Sequence, residues 1–385
     1  MRKILLLCND LELGGIQKSL IEFLSYLVKS QAFKVDLMLW QKDGPLQKMI
    51  PNDVQVIFQE YPTTLADVSK EKSLINKISL LFQFLKAQLF KRILKKPWLF
   101  YTKTSQHYDI AISFTHNGLP RFFAIDRVSA AKKFLWFHHG SYKASSPEKM
   151  LDQQYYNRFD KIVTVSFSNK TMLSQTFPTL QKNITVIPNI INSKEIISKA
   201  NEVINDMPND PGSYNFVTVS RFSKEKGLDV AVKTACALKK KGLQFKWYFI
   251  GDGDQFLAIH NLAKQMNVAD VCVFAGSKEN PYPYMKNADL YVQSSYVEAH
   301  PITINEALVL KKLIVTTDIP SVREVLQGGE LGVLCKPDPD VFANEIFRLL
   351  HDGLSQNNLM NKVEYKESNN EAAYEAINSL LKIEG

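Results

Sequence analysis

The stretch Asn205-Asp206-Met207-Pro208-Asn209-Asp210-Pro211-Gly212, with Asn215-Phe216-Val217-Thr218-Val219-Ser220 close behind it, decides the fold of this 385-residue chain. The first part is dense in proline, glycine, Asn and Asp, which is loop chemistry. The second is a β-branched and aromatic run, which reads as a strand. The loop interrupts a regular alternation. Before it, the short apolar runs Lys3–Cys8, Lys34–Trp40, Val54–Phe58, Asp109–Phe114, Lys133–Phe137, Lys161–Val165 and Ile184–Ile187 are separated by gaps that hold helices. After it, the pattern resumes with Asn215–Ser220, Phe245–Ile250, Val271–Phe274, Leu290–Gln293, Leu313–Thr316 and Leu331–Cys335.

Strands that alternate with helices call for parallel sheets covered on both faces. The interruption makes two such sheets. The expected fold class is α/β, with two Rossmann-like doubly wound parallel-sheet domains and a cleft between them. The expected domains are 1–190 and 191–365, with a final helix, Glu371–Ile383, in a tail 366–385 that packs back on the first. The chain is long enough for two cores, and 45% apolar against 22% charged residues excludes a disordered protein. Cys8, Cys236, Cys272 and Cys335 form no CxxC pair, so they read as buried thiols in a reducing compartment, with no metal site. The apolar run after Met1-Arg2-Lys3 is too short for a leader, and no run of 18 apolar residues occurs. A cytoplasmic location is expected.

Open parallel sheets bind ligands at the carboxyl ends of their strands, so candidate residues are sought there. Glu298 and Glu306 stand eight apart in Ser294–Leu308, which runs from a strand through a turn into a helix. Glu298 is expected in the turn and Glu306 about two helical turns further on. The amides near Ala299, His300, Pro301 and Ile302 are expected to face an anion at the helix start. Carboxylates suit alcohols and amides suit a phosphate. Arg221 and Lys226 follow the strand Asn215–Ser220 and could clamp a diphosphate; a plain charged surface loop is the alternative. Gly14-Gly15, after the first strand, reads either as a close backbone approach to phosphate or as a turn. His138, after Lys133–Phe137, reads as a ligand contact or an idle loop residue. Gly251-Asp252-Gly253 reads as a turn and helix cap.

The net charge is +8, and Lys70 to Lys103 carries nine cations against Glu71 alone, an excess as large as the whole. Its apolar residues Leu74, Ile75, Ile78, Leu81, Phe82, Leu85, Leu89 and Ile93 fall on one helical face. Phe84, Phe90, Trp98, Phe100 and Tyr101 flank it. With Lys86, Lys91, Arg92, Lys95 and Lys96, this reads as a helix for an anionic membrane surface. The alternative is a face packed on its own domain. No nucleic-acid-binding motif accompanies the charge.

Together these segments resemble glycosyltransferase family 4, whose fold is GT-B. The resemblance rests on Gly14-Gly15, Trp136-Phe137-His138, Val186-Ile187-Pro188-Asn189, Val219 to Gly227, Ile250-Gly251-Asp252-Gly253, Asn287 to Val292, and the pair Glu298 and Glu306. It implies retaining transfer of a sugar from a nucleoside diphosphate sugar, with a uridine-linked donor expected, to a glycan or lipid-linked acceptor in capsule or exopolysaccharide synthesis. It also implies that Arg221 and Lys226 hold the diphosphate, Glu306 the ribose, and Glu298 the donor sugar. His138 would stand beside sugar and acceptor as the second catalytic residue, and no metal or other cofactor would be needed. Ala299 replaces a common glycine, His300 a more usual aromatic, and Phe167 a frequent glutamate. A nucleotide-sugar epimerase, a glycan phosphorylase, or a non-catalytic partner of the same fold are the competing implications.

Overall fold

The computed structural model describes residues 1–59, 64–71, 73–208, 210–363, 365 and 368–382. Lys72, counted above in the basic segment, and Asn209 of the dividing loop lie outside the described residues, as does Ile383 of the final helix.

Among the described residues, thirteen strands form two wholly parallel sheets. In the first, β1 (Arg2–Cys8), β2 (Phe33–Leu39), β3 (Gln55–Phe58), β4 (His107–Ser113), β5 (Ser129–Phe137), β6 (Lys161–Thr164) and β7 (Ile184–Val186) lie in the order β3-β2-β1-β4-β5-β6-β7. In the second, β8 (Tyr214–Val219), β9 (Phe245–Ile250), β10 (Cys272–Gly276), β11 (Leu290–Gln293), β12 (Leu313–Thr317) and β13 (Val333–Cys335) lie in the order β10-β9-β8-β11-β12-β13. Each order reverses direction at its first strand, between β1 and β4 and between β8 and β11. Such reversals leave a crevice at the strand ends.

The cores explain why the chain divides where it does. Ile187 and Ile190 join the first domain's core with Leu6, Leu24 and Trp136. Ile191 and Ile196 join Tyr248, Tyr291 and Ile304 in the second. One peptide bond thus separates side chains buried in different domains. The last helix, Ser368–Leu381, returns to the first domain, where Ala373, Ile377 and Leu381 are buried in the core. Tyr374 stacks on Tyr26 at 4.5 Å, and Tyr26 donates to Asn378 Oδ1 at 2.5 Å. Asn370 straps the crossover by accepting from the Ile191 amide and donating to its carbonyl.

The basic segment is not one helix. It comprises Leu65–Lys70, then Leu74–Gln88, one wide turn at Leu89–Ile93, and a short turn at Pro97–Phe100. The apolar face of Leu74–Gln88 does not pack on its own domain: Ile75 is 80% exposed and Phe82 70%, and Ile93 beyond it is 72% exposed. Trp98 and Tyr101 belong instead to the core, beside Phe122 and Phe123. Those two aromatics are therefore anchors of the segment, not part of its exposed face. Among the described residues, no helix is long and apolar enough to cross a membrane.

Candidate active site

The helix after β11 begins only at Ile302 and runs to Val309. The turn runs to Pro301, and a proline keeps the residue before it, His300, out of the helical region. Glu306 lies just over one turn into this helix. Its carboxylate is 1% exposed. Oε1 accepts from Lys18 Nζ at 3.0 Å and from the Tyr282 hydroxyl at 3.0 Å, while Oε2 is buried with no partner among the described residues. Lys18 comes from the other domain, on helix Gly15–Lys29. A buried carboxylate with one free oxygen is costly unless something else meets it.

Glu298 stands in the turn. Its Oε1 accepts from Lys226 Nζ at 2.6 Å, Ser295 Oγ at 2.7 Å and Gln293 Nε2 at 3.1 Å. Gln293 is itself fixed, since its Oε1 accepts from the Tyr291 hydroxyl and Thr303 Oγ1, each at 2.9 Å. The charges of both Glu306 and Glu298 bear on buried Tyr291 and, after desolvation, help raise its pKa. The two carboxylates thus flank one floor.

Lys226 reaches Glu298 because the loop after β8 turns sharply. Gly227 adopts φ 58°, and a Cβ there would stand 2.1 Å from Ser294 O. Only glycine satisfies both demands. Arg221, at the start of the same loop, is exposed. Its positive field, second to burial, depresses the pKa of His139 on the first domain, and Lys226 acts in the same direction. Arg221 and Lys226 therefore lie within electrostatic reach of His139. The loop Gly251–Gly253 is structural: Asp252 caps Gly253 at 2.7 Å and its carbonyl holds the Phe222 amide at 2.8 Å.

The first domain meets this site along three segments. Gly14 precedes helix Gly15–Lys29 in extended backbone, and a Cβ on Gly15 would stand 3.5 Å from Ile302 Cδ1. Gly140 lies against the Glu298 carbonyl; a Cβ there would be 2.3 Å from its oxygen. Ser166 Oγ donates to Ala299 O at 2.6 Å, and the amides of Phe167 and Ser168 donate to Glu324 at 2.9 and 2.6 Å. Phe167 thus offers its backbone to a carboxylate of the opposite domain. His300 Nδ1 lies 3.3 Å from Asn189 Nδ2. His138 packs its ring 4.9 Å from Phe114, and its Nε2 is buried with no partner among the described residues. Burial, then His139 and His300, hold its pKa down at about 3.

Five participants were not singled out in the sequence: Lys18, Gln293, Ser295, Tyr282 and His139. Lys18 had a signal, because it lies one helical turn past Gly14-Gly15. Gln293 had one too, as the polar last residue of an apolar strand. Among the described residues, no group of three or more His, Cys, Asp or Glu side chains could hold a metal ion.

The chain is similar to known proteins in sequence and in fold. Residues 200–368 match the family of glycosyl transferases group 1. An uncharacterized glycosyltransferase of Methanocaldococcus jannaschii is 25% identical over 236 residues, 55% of this chain and 58% of that protein. A Campylobacter jejuni N-acetylgalactosamine-N,N'-diacetylbacillosaminyl-diphospho-undecaprenol 4-alpha-N-acetylgalactosaminyltransferase is 26% identical over 233 residues, 60% of each. The chain spans between 36% and 60% of the length of four curated relatives it matches. Two solved structures share the fold over nearly the whole chain. Staphylococcus aureus TarM, solved with fondaparinux, alpha-GlcNAc-glycerol and UDP, superposes with a TM-score of 0.72 at 12% identity, covering 100% of this chain and 99% of its own. Anabaena HepE, solved with UDP and glucose, gives 0.70 at 16%, covering 98% and 100%. The fold is GT-B.

Proposed function

We propose that this chain is a retaining glycosyltransferase. It moves a sugar from a nucleoside diphosphate sugar, uridine-linked by preference, to a glycan or lipid-linked acceptor in cell-surface polysaccharide synthesis. The observation that carries the reading is the meeting, at one interdomain cleft, of Glu306 with a free buried oxygen, Glu298 bonded to Lys226, and Arg221 within electrostatic reach of His139.

In this reading Glu306 Oε2 accepts from the ribose hydroxyls. Arg221 and Lys226 neutralise the diphosphate, and Glu298 contacts the sugar on the residues Ala299, His300, Pro301 and Ile302 that form the turn. The acceptor oxygen bonds to the anomeric carbon as the bond to the phosphate oxygen breaks. The acceptor proton passes to that departing oxygen on the same face, which retains configuration. Fixed cations meet the charge that develops on the leaving group, so the transfer runs without a metal. His138 and His139 line the side from which the acceptor comes. The putative colanic acid biosynthesis glycosyltransferase WcaL of Salmonella typhimurium, 26% identical over 151 residues, and the Campylobacter transferase support a polysaccharide context.

The chain works at the membrane surface in this reading. The exposed apolar face of Leu74–Gln88 and the exposed Lys86, Lys91, Arg92, Lys95 and Lys96 offer both terms of interfacial binding, and no acidic residue lies between Glu71 and Asp109. The occupant is an anionic lipid surface of the inner leaflet.

A panel of nucleoside diphosphate sugars, scored by thermal stabilisation and by release of nucleoside diphosphate, tests the activity. The expected result is stabilisation by one uridine-linked sugar and turnover that rises with acceptor and persists in EDTA. Stabilisation by no nucleotide overturns the reading. Turnover that needs no acceptor assigns the chain to epimerases, and dependence on inorganic phosphate assigns it to phosphorylases.

A further inference from the structure

The segment from His139 to Ser145 leaves the cleft and runs over the first domain along an open surface depression of about 580 Å³, where Lys143 and Lys149 are exposed. Tyr142, Lys143, Lys149, Met172, Gln175 and Thr176 line it, from the loop and from helices Ser146–Tyr156 and Phe167–Thr176. Its place beside the cleft follows from both ends of the loop. Gly140 touches the Glu298 backbone. The charge of Lys143 bears on Glu225, which lies between Arg221 and Lys226 in the opposing loop.

The wall is built rather than loose. The Tyr142 hydroxyl donates to Asp152 Oδ2 at 2.9 Å, and Arg121 binds the other oxygen of Asp152 at 3.0 Å from both Nε and Nη2. Asp152 is buried, so its charge is spent beneath the floor. No acidic residue lines the depression, and no ion pair forms to Lys143 or Lys149 among the described residues. Lys149 is steered by the Phe177 ring, 5.6 Å from its Nζ. The volume falls in the range of small-ligand sites. Two ammonium groups beside an aromatic ring and a thioether fit a sugar that bears an oxyanion: the cations meet the charge and the apolar groups meet the ring faces.

We propose that this depression is an acceptor subsite that selects an anionic sugar, carboxylate- or phosphate-bearing, next to the hydroxyl that receives the transferred residue. The proposal rests on the glycosyltransferase reading above and adds the chemical class of its acceptor. Lys143 and Lys149 are its specificity-determining residues. Nothing in the transfer step changes, since the anionic group only binds.

The test measures binding of small probes to the full chain in the presence of UDP. Methyl glucuronide and glucose 6-phosphate serve as the two anionic arms, and methyl glucoside is the neutral match. At least one anionic probe is expected to bind about tenfold more tightly than the neutral one, the gain of roughly one charge-assisted contact. The arm that wins tells carboxylate from phosphate. Lys143→Gln with Lys149→Gln abolishes the preference, and the Lys→Arg pair restores it. Equal binding of all three probes, binding of none, or a preference that survives the Gln pair overturns the subsite. Stabilisation by UDP is read in the same samples. If UDP stabilises and the preference is absent, the subsite falls and the transferase stands. If the preference is present and neither UDP nor any other nucleotide stabilises the chain, the transferase reading falls and the acceptor role of the subsite falls with it.

Discussion

Lys18 of the first domain donates to Glu306 of the second at 3.0 Å, and the glutamate it reaches is 1% exposed. One ammonium thus joins the domains at the position proposed for the donor ribose. Removing one partner of such a pair strands a buried charge. Lys18→Met is expected to destabilise the chain by about 3 kcal/mol, the low end for a broken buried pair because Lys18 is partly exposed. Glu306→Gln on top of it should recover part of that loss, since the stranded charge is gone. A double-mutant cycle by chemical denaturation reads the coupling, and additive effects would show that the pair is not energetically joined.

Lys226 is held by Glu298 at 2.6 Å. In the proposed reaction its charge turns to the diphosphate. Lys226→Ala is expected to lower kcat by about 10²–10³, the loss typical for a group that stabilises developing charge. The effect on fold stability should be small beside that of Lys18→Met, since Gln293 and Ser295 still donate to Glu298. Steady-state kinetics on the donor found by the panel, with a urea melt of the same sample, checks both halves.

Gly140 is a steric gate. With its Cβ position only 2.3 Å from the Glu298 oxygen, Gly140→Ala pushes the two loops apart. The expected outcome is a drop in donor turnover of about a hundredfold, the scale of a misplacement near 1 Å. UDP binding should survive, because Glu306 and Arg221 do not touch the new methyl group. Loss of UDP stabilisation along with turnover would place the damage in the second domain.

Four histidines and one glutamate set opposite trends with pH. Burial lowers the pKa of His116, His138, His139 and His300, to about 3 for His138 and about 4 for His300. The unfolded chain takes up those protons below about 6.5, where the folded chain does not. Stability therefore falls as pH drops from about 6.5 toward 4. Glu22 acts the other way: burial, then Glu195 across the hinge, raise its pKa to about 7. Its contribution is lost as pH rises through 7. Glu22→Gln is expected to raise the melting temperature at pH 8 and to leave it nearly unchanged below pH 4. A melting series from pH 8 to 4 on both proteins reads the two slopes separately.

The strands were legible in the sequence where both faces are buried, as in Ile4 to Cys8 and Phe245 to Ile250, because a continuous apolar run has few other uses. The first four residues of β5, Ser129 to Lys132, were not. They carry small and charged side chains at a half-exposed end, and pairing with His107 to Ile110 makes them a strand. In the candidate site, Arg221, Lys226 and Glu298 could be picked out because each lies in the loop after a strand, and Glu306 because it lies on the helix that follows. For Lys18 only its position, one helical turn past Gly14-Gly15, could be read; its pairing with a carboxylate 288 residues away leaves no local pattern. The exposure of Leu74–Gln88 was equally hidden, since an apolar helical stripe reads the same whether it faces a core or a lipid surface.

That stripe yields a prediction of its own. Each basic residue near an anionic surface contributes about 1 kcal/mol, so charge reversal of Lys91, Arg92, Lys95 and Lys96 to Glu should abolish co-sedimentation with vesicles rich in anionic lipid. Ile75→Ser with Phe82→Ser removes apolar area at constant charge, and it should weaken binding while leaving the salt dependence intact. The wild type is expected to release from the vesicles as salt rises, because exposed charges are screened beyond about 10 Å at 0.1 M. Sedimentation unaffected by either set would show that lipid is not the occupant. A shift of the wild type to a dimer in solution, lost in the Ser pair, would identify a second copy of the chain on that face instead.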